Sequence, residues 1–74
     1  MNNIEEFADV LRDELGLSIT DADLERHLDE VAGWDSVHLL SLLTILERRT
    51  MRQIPMVEIL EAPTLRDIYL AATR

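Results

Sequence analysis

Seventy-four residues are about half of a typical domain, so the chain has room for one thin hydrophobic core and excludes a large self-contained enzyme. Seven arginines and no lysine stand against fifteen Asp and Glu, a formal charge of −8. That balance argues against general nucleic-acid binding and suits docking onto basic protein surfaces. The absence of cysteine excludes a disulfide framework, a Cys metal site and a Cys nucleophile, and an apolar content of 47% excludes disorder throughout.

The first segment opens with Met1-Asn2-Asn3-Ile4-Glu5-Glu6, without the basic and apolar parts of a signal peptide. Ile4, Phe7, Ala8, Leu11 and Leu15 share one face of a 3.6-residue period. Asn3 is its N-cap, Glu6 takes the capping-box position, and Gly16 is the stop, which predicts a helix over Asn3 to Leu15. Residues 16–34 form a long connection. Thr20 and Asp23 have capping spacing there, and Leu24, Leu28 and Val31 mark a short apolar face. A helical turn or two is expected, because so long a connection in a small domain has to pack down itself.

The central helix is expected from Ser36 to Thr50 with Asp35 as N-cap. Leu39, Leu42, Leu43 and Leu46 form its inner face. Val37, Leu40, Ser41, Thr44 and Arg48 fall on the opposite half, so two apolar residues stand on a face that should be wet. The longest apolar-rich run, 37–46, is interrupted by His38, Ser41 and Thr44 and is too short to span a bilayer. Membrane insertion is therefore not expected, and cytoplasm is the default compartment.

Ile54-Pro55 opens a short third helix, with Met56, Ile59 and Leu60 as its apolar face. Thr64 caps the last helix with Asp67 at the capping-box position, and Leu65, Ile68, Tyr69 and Ala72 face inward. The sum is an all-α fold, a small bundle of three longer helices and a short third one, in a single domain over 1–74. Its core draws on Phe7, Leu11, Leu15, Leu28, Leu39, Leu42, Leu43, Leu46, Ile54, Ile59, Leu65 and Ile68, and Tyr69 reads as core or rim. At this size the net stability is a few kcal/mol at most, and self-repulsion of the acidic surface lowers it further.

Gly33-Trp34-Asp35-Ser36-Val37 is the informative stretch. It is a loop ending in an N-cap, followed by a serine at the first helical position. The free N–H groups and the dipole of that turn favour negative charge, so a phosphate ester on Ser36 would be well placed. A plain capping pair explains the same residues, and composition and spacing alone favour it. A catalytic serine needs a base within reach. His38 lies two positions on, about 200° around the helix; His27 could approach only if the loop folded over, and there is no Gly-rich nucleophile elbow. Asp21, Asp23 and Glu25 begin a calcium-loop pattern that lacks its glycine and closing Glu. Glu5-Glu6 and Asp29-Glu30 read as solvated acidic pairs. Arg48, Arg49 and Arg52 form a local cationic patch, which either meets an acidic partner or complements the end of the central helix.

In order along nearly the whole chain, Leu15-Gly16, Gly33-Trp34-Asp35-Ser36, Leu46-Glu47, Ile54-Pro55 and Thr64-Leu65 resemble the acyl/peptidyl carrier protein family. Asp35-Ser36-Val37 looks like the family's Asp-Ser-Leu attachment motif. The resemblance implies a four-helix bundle of acyl-carrier type, without catalysis of its own. Ser36 is then the residue to which a phosphopantetheinyl transferase attaches 4′-phosphopantetheine from coenzyme A. The arm's thiol holds an acyl or aminoacyl group as a thioester for biosynthetic enzymes. Asp35 serves the transferase as well as the helix. Trp34, Val37, Leu40, Ser41, Thr44 and Arg48 become a partner-docking face, and Trp34 either shields the arm or fills the loop.

The departures from the family pattern are informative. Val37 replaces the usual leucine or methionine, and the second helix lacks the dense glutamates of fatty-acid carriers. With Trp34 before Asp35, the resemblance is to discrete, monomeric carriers of polyketide, nonribosomal or antibiotic pathways, loaded by an acyl ligase or adenylating enzyme. The competing reading is an unmodified carrier-like domain that acts only in protein–protein interaction.

Overall fold

A computed structural model describes residues 3–73. The domain expected over 1–74 includes residues 1, 2 and 74, which lie outside the described residues. Four helices follow in order: α1 (Ile4–Asp13), α2 (Ser36–Thr50), α3 (Met56–Glu61) and α4 (Leu65–Thr73). The architecture is the all-α bundle expected from the sequence, with a short third helix.

Local chemistry accounts for the ends. Asn3 Oδ1 accepts from the Glu6 N–H at 2.9 Å and starts α1. The helix stops at Asp13, two residues before the expected end. The chain then turns through Gly16 at φ +69°, and the Leu17 N–H reaches back to the Leu11 carbonyl at 3.1 Å. α2 has the expected bounds. Pro55 stands one position before α3 as its N-cap. At α4, Thr64 Oγ1 accepts from the Asp67 N–H at 3.1 Å and donates to Asp67 Oδ2 at 2.8 Å.

The core sits among all four helices. Phe7, Leu11, Leu42, Leu46, Ile59, Leu65 and Ile68 are fully buried, and Leu43 and Ile54 are buried beside them. The Phe7 and Tyr69 rings, 5.6 Å apart, join α1 to α4. Several expectations need correcting. Leu15, Leu28 and Leu39 are half-buried, packed against the core rather than within it, and Tyr69 takes the rim place of its two expected ones. Leu60 is 60% exposed and Met56 is also on the surface, so α3 buries Ile59 alone. Six residues complete fewer than two turns, which leaves little room for an inward stripe.

The connection supplies the missing core. Leu17, Ile19, Leu24 and Val31 are buried. Two 3₁₀ turns, at Ala22–Glu25 and Leu28–Glu30, carry the chain across. Asp23 locks the first: its Oδ2 accepts from the Thr20 N–H at 3.0 Å and from Thr20 Oγ1 at 3.1 Å, while Arg26 binds Oδ1 at 2.8 Å. The Leu28 N–H donates to the Pro63 carbonyl at 2.9 Å and Arg66 pairs with Glu25 at 2.9 Å, which ties the connection to the start of α4. Among the described residues, no buried side-chain polar atom lacks a partner, and no helix is long and apolar enough to cross a membrane.

Candidate functional site

The site is built where the connection meets α2. The Trp34 N–H closes a turn onto the Val31 carbonyl at 3.2 Å. Gly33 holds that turn at φ +81°, in the left-handed region that favours glycine. Asp35 then takes an extended conformation as N-cap. Its Oδ1 accepts from the His38 N–H at 2.9 Å, and the Leu39 N–H makes the first helical bond to the Asp35 carbonyl at 3.0 Å. Ser36 is thereby the first residue of α2, and it is exposed.

His38 has a task that its position two residues beyond Ser36 did not disclose. Its Nδ1 lies 2.8 Å from the same Asp35 Oδ1, and its ring stacks on Trp34 with centroids 6.4 Å apart and planes at 25°. The His38 backbone N–H, followed by its side chain, holds the Asp35 carboxyl below the usual aspartate range, because both favour the charged form. The imidazole is thus spent on the cap and the indole rather than on Ser36. His27 Nδ1 accepts from the Asp29 N–H at 3.3 Å. No hydrogen-bonded base stands behind the serine hydroxyl, and no cluster of metal-ligating side chains is present among the described residues.

Trp34, Asp35 and Ser36 come together on one open groove of about 370 Å³, with Leu28, Asp29 and Leu39 as the other walls. Leu28 and Leu39 were expected in the core, and their half-burial is what lets them line this groove. The remaining predicted residues run away from it along α2. Val37 is 69% and Leu40 53% exposed, and Ser41, Thr44 and Arg48 are exposed with them. Thr44 Oγ1 turns back to the Leu40 carbonyl at 3.1 Å. The cationic patch is smaller than the sequence suggested. Arg49 pairs with Glu14, just past the end of α1, at 2.8 Å, and Arg52 donates to the Ala72 carbonyl at 2.8 Å. Sequence reasoning missed the exposed apolar residues of α3, where Val57, 63% exposed, accompanies Met56 and Leu60. Their spacing matched an inward face equally well.

This geometry accepts a phosphopantetheine group. An exposed primary hydroxyl stands on the first turn of a fifteen-residue helix, where N–H groups and dipole favour a phosphate. A groove beside it leaves room for a chain. The family model described as the phosphopantetheine attachment site matches residues 5–71. No curated protein and no solved structure matches the chain significantly. Members of the matched family carry 4′-phosphopantetheine covalently, typically on a serine, and act without catalysis of their own. They meet phosphopantetheinyl transferases and biosynthetic enzymes in general. With the match running through all four helices and across the exposed serine, the chain belongs to the acyl/peptidyl carrier protein family and is a non-catalytic carrier of 4′-phosphopantetheine.

Proposed function

We propose that Ser36 is the attachment residue and that the chain is a carrier that presents acyl or aminoacyl groups as thioesters. In the attachment step Ser36 Oγ bonds to phosphorus and the pyrophosphate bond of coenzyme A breaks. Adenosine 3′,5′-bisphosphate leaves, and the serine proton is released. The observation that carries this reading is Ser36 itself: exposed, at the first position of α2, directly after a charged N-cap, within the matched family segment. The arm then supplies the thiol that this cysteine-free chain lacks.

Asp35 is proposed as the residue the transferase reads beside the serine. Trp34, Val37, Leu40, Ser41, Thr44 and Arg48 are proposed as the docking face for the transferase and for the ligase or adenylating enzyme that loads the thiol. Two large apolar residues standing in water at the head of α2 support that assignment. The charge of α2 supports a polyketide, nonribosomal or antibiotic pathway over fatty-acid synthesis. Glu47 is the only carboxylate in the helix, against Arg48 and Arg49.

The test is intact-protein mass after incubation with coenzyme A, Mg²⁺ and a broad-specificity phosphopantetheinyl transferase. A gain of one phosphopantetheine, absent in Ser36→Ala, supports the reading. A folded chain that gains nothing with several such transferases overturns it, and leaves a partner-binding domain with the carrier shape alone.

A further inference from the structure

The geometry points to the groove between the second 3₁₀ turn and the head of α2 as the resting place of the pantetheine arm, with the indole of Trp34 as its principal contact. This rests on Ser36 as the attachment residue. Three apolar side chains, Leu28, Trp34 and Leu39, are each half-buried around one opening instead of being sealed into the core. The opening, about 370 Å³, falls in the range of roughly 300–1,000 Å³ typical of small-molecule sites. Ser36 lines it directly, so an arm attached there begins inside the groove. A tethered chain meets the apolar wall at a high effective concentration and needs little intrinsic affinity to occupy it.

The indole is held ready. His38 stacks on it and is itself anchored by Nδ1 on Asp35 Oδ1 at 2.8 Å. An aromatic wall fixed in this way loses little entropy when covered. The rim selects the kind of chain. Asp29 and Asp35 stand at the groove, and two carboxylates disfavour a further anion beside them. A neutral chain with amide N–H donors suits both the acidic rim and the apolar wall. The phosphate is fixed at the α2 N-terminus by its bond to Ser36 Oγ, and the neutral pantetheine portion lies across Trp34.

A second groove, about 430 Å³, competes for the same arm. Leu43, Glu47, Ile54, Pro55 and Met56 line it. It begins seven residues beyond Ser36, about 10 Å further along the helix axis. The two resting places make different predictions for named residues.

The experiment compares the unmodified chain with the chain converted by transferase, coenzyme A and Mg²⁺, after mass analysis has established one adduct on Ser36. Trp34 is the only tryptophan, so its fluorescence reports this groove alone. The expected result is a blue shift of Trp34 emission, reduced acrylamide quenching, and NMR cross-peaks from the pantetheine methyl groups to the Trp34 indole and the Leu28 and Leu39 methyls. A modified chain with unchanged quenching and no such cross-peaks overturns the proposal while leaving Ser36 as the attachment residue. Cross-peaks to Ile54 and Met56 in their place overturn it in favour of the second groove. Failure to form any adduct overturns the attachment reading, and the resting place with it. The measurement uses the native sequence, so its outcome does not depend on the folding of a variant.

Discussion

Asp35 illustrates how much one short side chain can carry. Its carboxylate caps α2 through the His38 N–H and receives the His38 ring on the same oxygen. Those bonds favour the charged form and hold its pKa below the ordinary value of 3.8, chiefly through the backbone N–H. Asp23 is likewise held low, first by the Thr20 backbone N–H, with burial opposing. A carboxyl whose folded pKa is depressed contributes stability that is fully present above its unfolded value. That contribution is lost as pH falls below 3.8 and through the lower folded values. Thermal melts followed by circular dichroism should therefore show Tm falling in that window. Asp23→Asn with Asp35→Asn should flatten the fall, since an amide cannot titrate there. Val37 and Leu40 give a different expectation. Both are exposed, so Val37→Ala and Leu40→Ala should change stability by no more than about 0.5 kcal/mol. Phosphopantetheinylation kinetics should nevertheless show a higher KM for the variant carriers, if these residues dock the transferase as proposed.

Helix termini were legible where a side chain bonds its own neighbours. Asn3, Asp35 and Thr64 each sit three residues before the N–H they accept from, and all three caps form as the spacing predicts. The far end of α2 was less transparent. Met51 terminates it at φ +58°, in a region that glycine adopts freely and methionine does not. A left-handed L-residue costs about 1–2 kcal/mol, and glycine adds about 0.4–1 kcal/mol of unfolded-chain entropy. Met51 is 87% exposed and gives up little packing when replaced. Met51→Gly should therefore raise stability by about 0.5–1 kcal/mol, read as an increase in the urea midpoint with an unchanged slope. At α3 periodicity misled. Met56, Ile59 and Leu60 have helical spacing, but only Ile59 is buried. In so short a helix, the neighbours decide which residue the core takes.

The molecule as a unit depends on a core with nothing to spare. Leu46 is fully buried in α2. Leu46→Ala should cost about 2–5 kcal/mol, from lost transfer energy and the cavity left behind. A core of this size supplies only about 3–5 kcal/mol in total, so chemical denaturation should find this variant close to unfolded at physiological temperature. The connection is equally necessary to that core, since Leu17, Ile19, Leu24 and Val31 close it. Leu24 and Val31 belong to the short apolar face that the spacing marks, whereas Leu17 and Ile19 precede it, outside any period, and were not assigned inward. Their burial follows from long-range bonds, such as Leu28 to Pro63 and Glu25 to Arg66, that tie the connection to α4.

From the order of residues alone followed the four helices, the N-caps of three of them, the exposed head of α2 and the serine placed on it. These rest on interactions within one turn, and a local rule can read them. Folding in three dimensions settled which apolar residues are sealed and which are left half-open. Leu28 comes from the connection, Trp34 from the turn and Leu39 from the helix, and no periodicity relates them. They share one groove beside Ser36 because the packed connection returns to the head of α2. Burial is a property of the whole contact surface, and it is decided only when the distant segments meet.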